Sequence, residues 1–189
     1  MGGRLAVEQN EPMILKLKQT PGIFITGFMG SGKTTVGRLL AERIGWQFSD
    51  LDQDIETAEQ CSIAEIFARH GEPGFRRIEA EALSWRIKRV RAGAASVIAL
   101  GGGTFAQTEN RESIANHGVS VWLDCPFHIV ERRVQKHTHR PLAQDPAELR
   151  RLYDERQAAY RQAAYRVSVA EEDTHRTIEQ IFALPIFGQ

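Results

Sequence analysis

The chain has 189 residues, 42% hydrophobic and 25% charged, the balance of one soluble globular domain long enough to bury its own core. Lysine plus arginine and aspartate plus glutamate each number 24, so the formal charge of zero points away from nucleic acid and anionic membranes as partners. Cys61 and Cys125 make neither a disulfide framework nor a zinc site, and no stretch nears the roughly 18 apolar residues of a membrane span.

A reducing, cytoplasmic setting is therefore expected. Residues 1–20 lack the apolar centre of a signal peptide and read as a flexible tail ahead of a single domain over 21–189. Ile23–Thr26 predicts a first, apolar strand, and Thr35–Ile44 a helix. A short second strand, Gln47–Ser49, runs into the acidic stretch Asp50-Leu51-Asp52-Gln53-Asp54. Helical patterns follow over Asp52–Gln60, Ser62–His70 and Gly74–Val90, the last with Ile78, Ala82, Trp85 and Val90 near helical spacing. Ser96–Leu100 reads as a fully buried parallel strand ending in Gly101-Gly102-Gly103. A helix near Asn110–Asn116 precedes a fourth strand, Val119–Leu123, and Pro126 opens a helix to about Lys136. A loop rich in His, Pro and Arg spans His137–Asp145. A long helix over Pro146–Ala164, a fifth strand over Arg166–Val169 and a helix over Thr174–Ala183 complete the chain. Strands alternating with helices predict an α/β layered fold with a parallel sheet.

Between the first strand and its helix lies Gly27-Phe28-Met29-Gly30-Ser31-Gly32-Lys33-Thr34, a complete G-x-x-x-x-G-K-[ST] loop. Glycines let successive backbone N–H groups turn inward around phosphate oxygens. Lys33 adds a point charge for the β- and γ-phosphates, the Thr34 hydroxyl suits Mg²⁺, and the helix N-terminus adds its dipole. Gly30, Ser31, Gly32, Lys33, Thr34 and Thr35 are thus the expected nucleotide cradle, which implies ATP with Mg²⁺. Asp50 and Asp52, at the end of the second strand, offer one carboxylate for the metal and one for an acceptor hydroxyl, or else serve as an acidic helix start. Three successive glycines cost backbone order, so the triplet points to a main chain that approaches a ligand closely. In a parallel sheet, ligands sit at the carboxyl ends of the strands. The loop, the acidic pair and the glycine triplet all fall at that edge.

The charge is uneven along the chain. Asp50–Ala82 holds nine acidic and three basic residues, and Arg132–Arg166 nine basic and four acidic, so a few of these arginines are expected around a polyanion. Arg140-Pro141-Leu142 reads as a lid arginine on phosphates or as an ordinary surface arginine. Of the neighbours Arg76 and Arg77, at most one faces a ligand. Trp46, Trp85 and Trp122 are expected in the core.

In order along the chain, GFMGSGKTTVGR, FSDLDQDIE, SIAEIFARHGEPGFRRIEAEAL, LGGG, RPL and ERQAAY resemble the shikimate kinase family, from about Ile23 to Ala183. The resemblance implies a P-loop NTPase fold: a five-stranded parallel sheet in three α/β/α layers, a substrate-binding subdomain near residues 52–90 and a mobile lid near 136–147. It implies ATP- and Mg²⁺-dependent phosphorylation of the 3-hydroxyl of shikimate by a monomer. Residue by residue, it assigns Lys33 and Thr34 to phosphate and Mg²⁺, Asp50 to the metal through water, and Asp52 to the shikimate hydroxyls as base. Arg76 and Arg156 fall to the carboxylate, Gly101, Gly102 and Gly103 to backbone contacts, Phe67 and Phe75 to apolar walls, Arg133 to the adenine and Arg140 to the phosphates. Two scaffold positions depart from the family: Gln60 replaces a usual glycine and Ala158 a usual proline.

Overall fold

The computed structural model describes residues 22–136, 145–169 and 173–188. The expected tail and most of the expected lid, including Arg140, lie outside them. The elements are β1 (Gly22–Thr26), α1 (Lys33–Ile44), β2 (Gln47–Asp50), α2 (Leu51–Glu59), α3 (Ile63–Arg91), β3 (Ser96–Ala99), α4 (Thr108–His117), β4 (Val119–Asp124), α5 (Phe127–Gln135), α6 (Pro146–Tyr160), β5 (Tyr165–Ser168) and α7 (Thr174–Phe182). Short 3₁₀ turns stand at Thr104–Ala106 and Pro185–Phe187. The five strands form one parallel sheet in the order β2-β3-β1-β4-β5.

The sheet is the core because its central strands carry apolar side chains on both faces. Ile23, Phe24 and Ile25 of β1, Val97 and Ile98 of β3, and Val121 and Leu123 of β4 are all buried. Register then positions the site. Ala99 pairs with Ile25 on one side and with Asp50 on the other. Whatever follows these three residues emerges side by side at the carboxyl edge. The strand order switches sides around β1, which places a crevice at its end.

Several boundaries differ from the sequence reading. The helix over Pro146–Ala164 stops at Tyr160, because Ala164 instead donates its amide to Ser120 Oγ (2.9 Å) and the chain enters β5 one residue early. The two helical patterns, Ser62–His70 and Gly74–Val90, stand as expected: α3 is two helical segments joined across a sharp kink at Gly71 (φ 65°, ψ −178°). Trp85 is not core: it is 51% exposed on the outer face of α3, with the guanidinium groups of Arg86 and Arg89 4.8 and 5.1 Å from its ring centre. Trp122 is buried and Trp46 packs at the core margin.

Asp54 and Glu56 tie α2 to its neighbouring helix. Asp54 holds Arg86 through two bonds of 2.5 and 2.6 Å, and Glu56 accepts the Ile63 amide at 3.0 Å, so α2 is pinned to α3 at both ends of their contact. Ser62 and Glu65 form a reciprocal capping box that starts α3.

Gln60 is the one non-glycine residue with positive φ (54°) among the described residues, at the C-terminus of α2. The turn thus keeps a left-handed geometry without the glycine that suits it. Replacing Gln60 by glycine relieves the side-chain clash with the following carbonyl and is expected to stabilise the fold by about 1 kcal/mol. Urea unfolding measures it; an unchanged midpoint would show the conformation to be unstrained.

Candidate active site

The loop after β1 forms the donor half. Gly30 and Gly32 both have positive φ (76° and 94°), and Gly32 begins α1, whose first-turn amides are directed into the loop. The Lys33 ammonium arches back over the loop and donates to the carbonyl oxygens of Gly27 and Phe28, each at 3.0 Å. Ser31 is buried, and its hydroxyl has no hydrogen-bond partner among the described residues. Arg133, from α5, donates to the Gly30 carbonyl at 3.0 Å, so it leans on the loop from the opposite side.

Thr34 and Asp50 meet at the mouth of this loop. The Thr34 hydroxyl donates to Asp50 Oδ2 at 2.6 Å, while Asp50 Oδ1 accepts the amides of Asp52 (3.1 Å) and Gln53 (3.5 Å) and so caps α2. One carboxylate thereby fixes both the start of α2 and a neighbouring pair of hard oxygens. A hydroxyl and a carboxylate side by side at a phosphate loop are the donor set that Mg²⁺ accepts.

A second cluster grows around the glycine triplet after β3. A Cβ on Gly101 would stand 2.6 Å from Asp52 Oδ1, 2.9 Å from Thr104 Oγ1 and 3.0 Å from Glu79 Oε1. A Cβ on Gly103 would stand 2.5 Å from both terminal nitrogens of Arg76. A side chain at either position would push these polar groups out of place, so two members of the triplet are explained by close approach. The same contacts show that Asp52, Glu79, Thr104 and Arg76 converge on one small volume.

Glu79 organises that volume. It is 1% exposed, accepts the Thr104 hydroxyl at 2.6 Å and receives Arg76 Nη1 at 2.9 Å. Arg76 also reaches Glu72 through Nε (3.3 Å) and Nη2 (3.1 Å). Burial works against the Arg76 charge, but Glu79 and then Glu72 more than offset it and raise the guanidinium pKa. The cation is thus locked on at this edge. Arg77 is exposed on the other side of α3. Phe67 and Phe75 stack beside the cation, ring centres 4.4 Å apart and planes at 27°.

Arg156 extends from α6 and is half-buried, with no hydrogen bond or ion pair among the described residues. One turn further on, Tyr160 donates its hydroxyl to the Gly102 carbonyl at 2.6 Å. Burial raises the phenol pKa well above its usual value, while the charges of Arg156 and Arg76 pull it the other way. Both guanidinium groups therefore lie within electrostatic reach of Tyr160, on the side of the glycine triplet.

Most residues singled out in the sequence are thus brought together at one edge, with Arg140 outside the described residues. Glu79, Thr104 and Tyr160 went unassigned in the sequence. The spacing Arg76-x-x-Glu79 was a readable signal, since residues three apart are neighbours on a helix. The burial that makes the pair matter was not readable.

Fold and site together define a class: a P-loop kinase of the α/β type whose acceptor is a small molecule. A family model described as shikimate kinase matches residues 29–184. The shikimate kinase of Nostoc punctiforme is 42% identical over 165 residues, covering 86% of this chain and 88% of that protein. That of Persephonella marina is 37% identical over 160 residues, covering 84% and 95%. A solved structure of shikimate kinase from Acinetobacter baumannii in complex with shikimate aligns with a TM-score of 0.79 at 37% identity, covering 86% of this chain and 90% of that one. The chain belongs to the shikimate kinase family.

Removing Glu79 leaves a partly buried guanidinium and a buried hydroxyl short of their shared partner. Glu79→Ala is expected to destabilise the fold by about 3 kcal/mol, and Glu79→Gln, which still accepts from Thr104, by clearly less. Equilibrium urea unfolding separates the two; equal and small losses would show that the carboxylate does not hold the cluster.

Proposed function

We propose that this chain transfers the γ-phosphoryl group of ATP to the 3-hydroxyl of shikimate, giving shikimate 3-phosphate and ADP on the route to chorismate and aromatic amino acids. The observation that carries this reading is the juxtaposition, at one sheet edge, of a phosphate loop with a carboxylate, a locked arginine and a glycine backbone. Shikimate bears one carboxylate and a ring of hydroxyls, and these groups are its chemical complement. A planar guanidinium suits a carboxylate, and an aspartate suits neighbouring hydroxyls.

Each residue has a place in the reaction. Lys33 and the amides of Gly30, Ser31, Gly32, Thr34 and Thr35 hold the phosphates. By family resemblance, Arg133 serves the adenine and Arg140 the phosphates. Arg76 and Arg156 hold the substrate carboxylate, Phe67 and Phe75 wall the ring, and Gly101, Gly102 and Gly103 offer main-chain groups. Asp52 orients the 3-hydroxyl and accepts its proton as the oxygen bonds to the γ-phosphorus. The bond from that phosphorus to the bridging oxygen breaks, and ADP leaves with the electron pair. Thr34 and Asp50 would hold Mg²⁺, which supplies neutralisation of the phosphate charge. Catalysis rests mainly on placing the hydroxyl in line and stabilising charge.

The reading extends to organisation. Residues 52–90 form the substrate-binding subdomain, residues 136–147 the lid, and the protein works as a cytoplasmic monomer. No helix among the described residues is long and apolar enough to cross a membrane.

ADP release is expected with shikimate, and not with gluconate or nucleoside monophosphates, when each is offered with ATP and Mg²⁺. Release with either of the latter but not with shikimate overturns the proposal. Asp52→Asn is expected to lower turnover by at least about 10²-fold, the usual worth of a positioned base; near wild-type turnover leaves Asp52 a binding group. Arg76→Ala is expected to raise the shikimate KM with a smaller effect on the ATP KM, and an unchanged shikimate KM breaks the carboxylate assignment.

A further inference from the structure

We infer that Tyr160 is a positioning residue for the acceptor site: its hydroxyl sets the orientation of the Gly102–Gly103 peptide and so aims the Gly103 N–H at the substrate. The inference rests on the reading above, in which the glycine triplet contacts shikimate.

Three observations carry it. First, Tyr160 is fully buried at the last turn of α6, its ring tilted against Trp122 (centres 6.1 Å apart), and its hydroxyl spans 58 residues of sequence to reach the Gly102 carbonyl at 2.6 Å. Second, the described peptide bonds are all trans, so the Gly102 carbonyl and the Gly103 N–H share one plane and point in opposite directions. Holding the oxygen toward α6 therefore holds the N–H away from it. Third, neither Gly102 N–H nor Gly103 N–H donates to another described residue, although the carbonyls of Gly101 and Gly103 accept from Thr104 N and Ala106 N. Two donors stand open beside the Arg76 guanidinium, which presses on Gly103.

The device has a physical reason. A peptide between two glycines can flip at little steric cost. Flipped, it would turn a carbonyl oxygen toward the place where an acceptor-rich, negatively charged substrate binds, and withdraw the donor. The phenol penalises the flip, because a buried hydroxyl would then be left without its partner. Tyr160 and Arg156 are four residues apart on one face of α6. The same anchor that orients the peptide therefore sets the depth at which Arg156 is presented. Strong burial keeps the phenol protonated, hence a donor, throughout the working pH range.

The test is Tyr160→Phe, which keeps the ring and deletes the donor. The shikimate KM is expected to rise about 5- to 10-fold, the worth of one hydrogen bond to the substrate, with kcat and the ATP KM within about twofold. In ¹H–¹⁵N spectra the Gly103 amide of the wild type is expected to shift on adding shikimate, and in the variant to shift less or broaden. 4-Aminophenylalanine at position 160 restores a donor and is expected to bring the KM back. If Tyr160→Phe does not fold, 4-fluorophenylalanine, close to tyrosine in size but without a donor, is compared with 4-aminophenylalanine instead. Lower stability with unchanged shikimate KM and unchanged Gly103 shift reduces Tyr160 to a structural role and overturns the inference. A wild-type Gly103 amide that ignores shikimate overturns the reading of the glycine triplet on which the inference stands.

Discussion

The cluster around the glycine triplet depends on one buried carboxylate. Glu79 lies in α3, yet its two partners are Arg76, on the same helix, and Thr104, in the turn after β3. A carboxylate with almost no exposure is costly unless its lone pairs are satisfied. Here a cation and a hydroxyl satisfy them, and in doing so they dock a long helix onto the sheet edge. The orientation of Arg76, the seat of Gly103 against it and the closeness of Asp52 to Gly101 all follow from that docking. The charges are matched locally: Glu79 holds the Arg76 guanidinium in place, and Glu79 is tolerated because of Arg76 and Thr104.

The donor side is built from a different economy of contacts. Asp50 caps α2 with one oxygen and receives Thr34 with the other. The strand order makes this possible, since β3 stands between β2 and β1 and the register places Asp50, Ala99 and Ile25 in one row. The two halves of the site therefore share the short segment Asp50–Asp52. Asp50 faces the phosphate loop, and two residues later Asp52 faces the glycine triplet. Two neighbouring carboxylates face different loops because the strand ends between them and the backbone turns into α2.

Local, contiguous features were legible in the sequence. The phosphate loop, its flanking strand and helix, and the alternation that gives a parallel sheet are written in neighbouring residues. Asp50, Asp52 and the glycine triplet could be placed at one edge from the rule for such sheets. Contacts between distant residues were not legible. The Thr34–Asp50 bond joins two elements, Asp54 finds Arg86 across 32 residues, and Tyr160 finds Gly102 across 58. Trp85 shows the opposite failure: helical spacing put it near the buried stripe, but it stands exposed beside that stripe, with two arginine guanidinium groups over its ring. Gln60 shows that a turn can keep its shape when the residue that suits it best is absent.

The break in α3 explains how one element can bring two aromatic rings together beside a cation at the sheet edge. Phe67 and Phe75 are eight residues apart. On a straight helix that separation is about 12 Å along the axis, too far for their rings to meet. They stack at 4.4 Å because the chain turns sharply at Gly71, in a conformation that a side chain resists. Pro73 follows in the first turn of the second half, where its missing N–H costs nothing and its fixed φ suits a helix start. The second half is then held by Glu79 to the turn after β3 and by Arg86 to α2, while the first half is held by the Ser62 cap and by Glu56. Phe67 belongs to one anchored segment, and Phe75 with Arg76 to the other. The apolar wall and the cation are thus adjacent because the helix is bent, and the bend is specified by the Gly-Glu-Pro-Gly run that the sequence shows at that point.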